Sequence, residues 1–272
     1  MLQPPDVVEK FFCHIARARR AAAPDVHVSI EQALILAAGR GVRMGPRGQN
    51  IPKGFIEVGG EPLITRSLSL LARAGIRHAT IVTGHLAERF EALAPETGIG
   101  VSTLHNSLFA ERGSFESLRV GLSAMRGSFL LLESDIIYEP RALGTVLASN
   151  HDSVILTSGP TGAGDEVYVW ADDVQGVTRF RGMSKQRATH ADAPFGELVG
   201  ISKISAELAR QLAAHAAEAH SSADYESAVV RAAGDNPIAC LRVDDLLWGE
   251  IDDECMLARV EKMLWPRLSA IA

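Results

Sequence analysis

The stretch from Gln32 to Lys53 constrains the fold of this chain more than any other. An apolar run, Ala33 to Ala37, stops at Gly39, and Gly41, Arg43, Gly45 and Lys53 follow. An apolar run ended by glycines reads as a buried parallel strand feeding a tight loop. Gly39 and Gly41 carry no Cβ, so backbone N–H groups there can turn inward and approach a phosphate closely. Arg43 and Lys53 add two fixed positive charges to that concavity. The loop is therefore suited to a polyphosphate. It is not a Walker A loop, because no Gly-Lys-Ser/Thr opens the next helix. Nor is it a GxGxxG dinucleotide loop, because the third glycine is misplaced. A structural glycine turn with surface charges would account for LAAGRGVR alone, but the Pro52-Lys53 pair at this distance makes that reading the weaker one.

The rest of the chain alternates short apolar runs with segments of helical period. Strands are expected near 34–37, 80–82, 101–104, 129–132, 154–156 and 239–243. Helices are expected near 64–74 (stopping at Gly75, a natural residue just past a helix end), 86–93, 114–125, 140–148, 205–218, 225–233 and 253–264. This alternation predicts an α/β fold with a mostly parallel central sheet covered by helices on both faces. Ligands then sit at the C-terminal ends of the strands, near a topological switch point. Residues 158–196, with their short alternating runs and turn residues, are expected to form a small antiparallel insertion, an acceptor-side lid. Residues 1–30 read as a helical extension whose Val7, Phe11, Phe12 and Ile15 suit docking or a homodimer contact. Residues 31–272 read as one catalytic domain.

Composition excludes classes. A net charge of −6 argues against nucleic acid as a partner. Cys13, Cys240 and Cys255 are scattered, with no metal-ligand spacing, which fits thiols in a reducing compartment. No apolar run reaches the roughly 18 residues that span a bilayer. The N-terminus lacks the charge-then-apolar order of a secretory signal. The expectation is a cytoplasmic protein with no membrane insertion.

Two acidic segments carry chemistry beside the glycine loop. Phe129 to Leu132 runs into Glu133-Ser134-Asp135, which delivers Asp135 to a strand end. Trp248-Gly249-Glu250-Ile251-Asp252-Asp253 does something similar before the last helix. A nucleoside triphosphate brings Mg²⁺, which takes one or two protein carboxylates plus phosphates and water. Asp135 and Asp252 are assigned to it, with Mn²⁺ an allowed substitute, and Asp253 is assigned as helix cap. Ser114 stands at a helix start without a GxSxG elbow around it. No Ser-His-Asp or Cys-His arrangement emerges, and the nine histidines form no HExxH pattern.

LAAGRGVRMG, PKGFIEVGGEPLITRSLSLLARAGI and IVTGH, in this order, resemble the core of the nucleotidyltransferases that make sugar nucleotides and CDP-alcohols, a Rossmann-like, GT-A-like fold. GSFESL, LLLESDIIYE, VILTSGPTGAGDEVYV, GMSK, FGELVGISK, DYESAVV and WGEIDDE narrow the likeness to the CTP:2-aminoethylphosphonate cytidylyltransferases. The CTP:phosphocholine enzymes are matched less well. The similarity covers about residues 32–265. It implies that Leu36, Ala37, Ala38, Gly39, Gly41, Arg43 and Lys53 contact CTP, with Thr83, Gly84 and Ser114 near the cytosine and Asp135 and Asp252 on the metal. Where relatives often carry Asn-Thr-Gly-Ser-Met, this chain has Glu111-Arg112-Gly113-Ser114-Phe115.

The implied reaction is CMP transfer from CTP to 2-aminoethylphosphonate, releasing pyrophosphate. The nucleophile is already anionic, so charge neutralisation is the main task. Arg43, Lys53 and Asp135 are the catalytic residues: Lys53 serves the α-phosphate and acceptor, Arg43 the departing pyrophosphate. A primary ammonium prefers carboxylates and a quaternary one an aromatic cage. With three Trp and three Tyr in the chain, and Asp165, Glu166 and Glu197 in the variable segment, an amine-bearing phosphonate or phosphate monoester is the expected partner. The same carboxylates would also serve to close the lid on Arg179, Arg181 or Lys185. Alternatives are phosphocholine, phosphoethanolamine, another phosphonate, a sugar 1-phosphate, or a non-catalytic nucleotide sensor.

Overall fold

A computed structural model describes residues 30–93, 98–215, 223–234 and 236–271. The extension and dimer contact expected over 1–30 lie outside the described residues except for Ile30. From Ala33 to Ala37, β1 (Gln32–Ala37) is apolar on both sides, so neither face can be left in water. Ala33, Ile35 and Ala37 pack into one core, and Leu34 into a second on the opposite face.

Parallel partners flank β1: β4 (His78–Thr83) on one side and β6 (Phe129–Glu133) on the other. β5 (Gly100–His105) extends the β4 side. Beyond β6 come β11 (Gly196–Ile204), β8 (Val154–Ser158), β12 (Ala239–Val243) and the hairpin of β10 (Val177–Ser184) and β9 (Tyr168–Val174). The nine-stranded order is β5-β4-β1-β6-β11-β8-β12-β10-β9. All its strands except β10 and β11 run the same way, which is the mostly parallel sheet expected.

Helices cover both faces. On the first face lie α2 (Leu63–Arg73), through Ile64, Leu68 and Leu71, and α5 (Arg141–Ala148), through Ala142, Leu143 and Val146. On the second lie α4 (Ser114–Leu122), α6 (Ala206–His215) and α7 (Tyr225–Ala232). Short helices α1 (Pro46–Asn50) and α3 (Ala87–Glu91) follow β1 and β4. α2 ends at Gly75, whose φ of 90° is easily reached without a Cβ. No helix among the described residues is long and apolar enough to cross a membrane.

Two features depart from the sequence reading. The antiparallel pieces expected in 158–196 form the β9–β10 hairpin, which continues the sheet edge; the loop at 159–167 is the part that reaches the site. β11 is a fully buried central strand with no counterpart among the expected ones. Its Glu197, Ser202 and Lys203 break the apolar pattern, and Gly200 at φ 79° accompanies a register shift against β8. Burial of those polar groups is supported locally, as Lys203 Nζ donates to the Ser149 carbonyl at 2.8 Å.

A third cluster positions the site. Met44, Ile56, Val58, Ile137, Ile251, Leu257 and Val260 pack together. It joins the glycine loop, the β2 (Glu57–Val58) and β3 (Glu61–Pro62) ribbon, and the C-terminal helix that starts as α8 (Glu254–Arg259). Two short strands outside the main sheet, β7 (Ile136–Tyr138) and β13 (Trp248–Glu250), pair antiparallel beside it.

Candidate active site

β1 releases the chain into a loop set by three glycines. Gly41, at φ 59°, starts the turn over Val42–Met44, and Gly45, at φ 56°, starts α1. The sequence reading passed over Gly48, where a Cβ would stand 2.1 Å from the Gly41 carbonyl oxygen; only glycine lets α1 lie this close. His85 Nε2 meets the Gly48 carbonyl at 2.8 Å, and the His85 amide donates to the Ala38 carbonyl at 3.3 Å, so the strand ends are stitched together. Gly39 has open space where its Cβ would be, so its value lies in the exposed backbone.

A cavity of about 210 Å³ opens beside this loop. Leu36, Ala37, Ala38, Gly39, Lys53, Ser114 and Asp135 line it, together with Phe109, Arg112 and Tyr225. Thr83 and Gly84, which the resemblance sets near the cytosine, do not line it. Thr83 is fully buried, its hydroxyl turned to the Leu104 carbonyl, and Phe109 packs over Gly84 where a Cβ would fall 2.5 Å from the Phe109 Cβ. Phe109 lines the cavity where it packs against Gly84. Arg112 is held by Glu116 at 3.1 Å, and Glu116, nearly buried, also holds Arg119. The Arg119 hydrogen bond is the chief reason its carboxyl stays below the ordinary range. Ser114 Oγ accepts the Tyr225 amide at 2.9 Å and ties α4 to α7.

The acidic strand ends meet at the mouth of this cavity. Glu250 faces Ile136 across the β7–β13 pair, and the Ile251 amide donates to the Asp135 carbonyl at 2.9 Å. Two Glu-x-Asp triplets, Glu133-Ser134-Asp135 and Glu250-Ile251-Asp252, are thereby set side by side. That repeated triplet was the sequence signal for Glu133 and Glu250, which the reading above left out.

Lys53 Nζ donates to Asp135 at 2.8 Å and to Asp252, so one cationic centre reaches both aspartates. Arg43 bridges the buried Asp252 and Asp165, while lying outside both cavity linings, as does Gly41. Burial pulls the Lys53 pKa down, but Asp135, by charge and hydrogen bond, keeps it above its ordinary value. Burial first, then the Asp135 and Asp165 charges, push Glu250 up to about 8. Glu133 is likewise raised above its ordinary value, by burial first and then by the Glu250 and Asp135 charges. Carboxylates outnumber cations here.

Two oxygen clusters, Glu133/Asp135/Glu250 and Asp165/Glu250/Asp252, each bring their atoms within 4.8 Å of one another. An all-carboxylate set of this kind suits a hard divalent ion such as Mg²⁺ or Mn²⁺. Asp253 is separate: its side chain accepts the Met256 amide at 2.8 Å and caps α8.

A second cavity of about 300 Å³ adjoins the first and shares Glu133, Glu226 and Glu250 with it. Asp165, Glu166 and Glu197 all line it, yet each is already engaged. Asp165 holds Arg43; Glu197, buried, accepts the Thr161 amide at 2.6 Å and hydroxyl at 2.7 Å; Glu166 accepts the Gly164 amide at 3.1 Å and the Tyr168 hydroxyl. The expected lid partner Arg181 turns instead to Asp172 and Asp192. Trp248 is the one aromatic residue on the wall among the described residues.

Residues 33–218 match the family model of the MobA-like NTP transferase domain. Over 201 residues the chain is 28% identical to a 2-aminoethylphosphonate cytidylyltransferase of Lancefieldella rimae, covering 71% of this chain and 75% of that one. It is 31% identical over 144 residues to a CMP-5'-(3-aminopropyl)phosphonate synthase of Streptomyces rubellomurinus, and 29% over 123 residues to a choline-phosphate cytidylyltransferase of Streptococcus pneumoniae. Those matches cover 52% and 45% of this chain, and span 23% and 53% of the relatives' own lengths. The fold is shared with the inositol-1-phosphate CTP transferase from T. maritima, at a TM-score of 0.75, 16% identity and coverage of 89% of this chain and 96% of that one.

Proposed function

The chain belongs to the family of MobA-like NTP transferase domains, and from that premise we propose that it transfers CMP from CTP to 2-aminoethylphosphonate. The observation that carries this reading is the junction: a glycine-loop cavity, lined by Lys53 and Asp135, meets an acid-walled cavity at Glu133, Glu226 and Glu250. One cavity suits a nucleotide, the other a small acceptor bearing positive charge.

A phosphonate oxygen attacks the α-phosphorus of CTP, the bond to the bridging oxygen breaks, and pyrophosphate leaves with that electron pair. The nucleophile is anionic near neutral pH and needs no general base. Its approach to the triphosphate is opposed, because like charges about 4 Å apart cost roughly 4 kcal/mol at a surface-like dielectric. The open Gly39 backbone presents amides to the phosphates, Lys53 serves the α-phosphate and Arg43 the leaving pyrophosphate. Asp135 and Asp252, in two oxygen clusters that share Glu250, would hold a divalent ion, which would supply Lewis-acid charge neutralisation. Held between two walls, acceptor and nucleotide meet in line, which lowers the entropic part of the barrier.

An ammonium is favoured over choline because the acceptor cavity has many carboxylates and a single aromatic. The free thiols of Cys240 and Cys255 support a cytoplasmic setting. A non-catalytic nucleotide sensor would have no need of Arg43, Lys53, Asp135 and Asp252 in one network. The test crosses four nucleoside triphosphates with 2-aminoethylphosphonate, phosphoethanolamine, phosphocholine and glucose 1-phosphate, read by phosphorus-31 NMR. CTP with 2-aminoethylphosphonate is expected to give the highest kcat/KM. Equal or better use of phosphocholine, or of a sugar phosphate, overturns the acceptor; equal use of another nucleotide overturns CTP.

A further inference from the structure

Three carboxylates border both cavities: Glu133, Glu226 and Glu250. Glu133 and Glu250 belong to the oxygen clusters matched to the divalent ion, and Glu133 also accepts the Tyr225 hydroxyl. Glu226 belongs to neither cluster. It stands in the first turn of α7, and its Oε2 is closed to solvent with no hydrogen-bond partner among the described residues. A buried carboxylate oxygen without a donor is costly, so this oxygen is set for a donor beyond the described residues, a place that a bound ligand can fill. Lys185 is near enough to bias the charge on Glu226, but no ion pair joins the two among the described residues.

Distance narrows the choice. In an aminoethyl phosphonate the nitrogen lies roughly 5 Å from the phosphonate oxygens, by ordinary bond lengths. The phosphonate must reach the nucleotide at the junction, so its amine cannot stretch to the far wall of the larger cavity. Its partner has to stand at the junction too. Asp165, Glu166 and Glu197, the carboxylates expected from sequence, are committed to Arg43, to the Gly164 amide with Tyr168, and to Thr161.

We propose that Glu226 receives the primary ammonium of the acceptor, its unpartnered Oε2 accepting one N–H, and thereby selects an amine over a neutral or trimethylated head of similar size. A quaternary ammonium has no N–H to give. The inference rests on reading the chain as a cytidylyltransferase of amine-bearing acceptors.

The experiment measures kcat and KM with CTP for 2-aminoethylphosphonate, ethylphosphonate and phosphocholine in the wild type, Glu226→Gln, Glu226→Asp and Glu166→Gln. The wild type is expected to prefer the amine over ethylphosphonate. In Glu226→Gln that preference falls by about 100-fold, the scale of truncating one side of a buried charge pair, and the loss appears in the acceptor KM. Glu226→Asp retains part of the preference, and Glu166→Gln retains most of it. An undiminished preference in Glu226→Gln overturns the role of Glu226 while leaving the cytidylyltransferase reading intact. A wild type without amine preference, or without CMP transfer, removes the parent reading and this inference together. Should Glu226→Gln not fold, a Glu226→Asp enzyme whose amine KM matches wild type is the overturning result.

Discussion

Lys53 neutralises two aspartates that belong to different strand ends, the same two proposed above as ligands of a divalent ion. Asp252 is almost fully buried, so without Lys53 its charge is left to the half-exposed Arg43 alone, and Asp135 loses its ammonium partner. Lys53→Met is expected to lose about 3–5 kcal/mol in urea unfolding with EDTA present. Mg²⁺ should restore more of that loss than it adds to the wild type; an equal response in both proteins counts against a shared cation position. Asp135→Asn keeps the shape and removes the charge. Its kcat should drop by about 10²–10³-fold, the scale of losing a preorganised electrostatic group, with the melting temperature little changed. Asp253 supplies the contrast. As a helix cap, Asp253→Ala should cost about 1 kcal/mol of stability and leave turnover near wild type, whereas Asp252→Ala should abolish it.

At the scale of elements, the site depends on a two-strand ribbon outside the main sheet. β7 follows directly from β6, and β13 pairs with it, so the register Glu250↔Ile136 decides where the second Glu-x-Asp triplet points. Ile251, fully buried between those acidic neighbours, anchors the ribbon in the cluster that also holds Met44 of the glycine loop. Ile251→Ala should cost about 2–5 kcal/mol of stability and lower kcat beyond that loss, because both acidic side chains lose their register. Retained kcat in the folded variant would show that the ribbon holds its register without Ile251. Gly200 has a comparable role from the other side: its φ of 79° and the 2.8 Å approach of Glu133 Oε2 to a Cβ there leave no room for a side chain.

On the scale of the whole molecule, the sheet, both cavities and every residue assigned to the site lie within residues 30–271. Removing residues 1–29, which supply none of the residues assigned to the site, is expected to leave kcat/KM within about twofold of the full chain. A large loss would assign that segment a part in catalysis. Strand–helix alternation, the glycine loop, Lys53, Asp135 and the capping role of Asp253 could all be read directly from the chain, because each follows from local spacing and side-chain chemistry. β11 could not, since its polar residues look like a loop until Thr161 and the Ser149 carbonyl, which satisfy Glu197 and Lys203, are known. The resemblance sets Thr83 and Gly84 near the cytosine, and the packing of Phe109 against Gly84 could be seen only in the folded chain. Local sequence thus determined a glycine loop at a strand end and acidic triplets at two others. Which carboxylates face one another, which are tied up and which stands unpartnered was decided by tertiary structure alone. Lys53 and Asp252 lie 199 positions apart, and only the packing of the sheet, the ribbon and the C-terminal helix brings such charges within reach of each other.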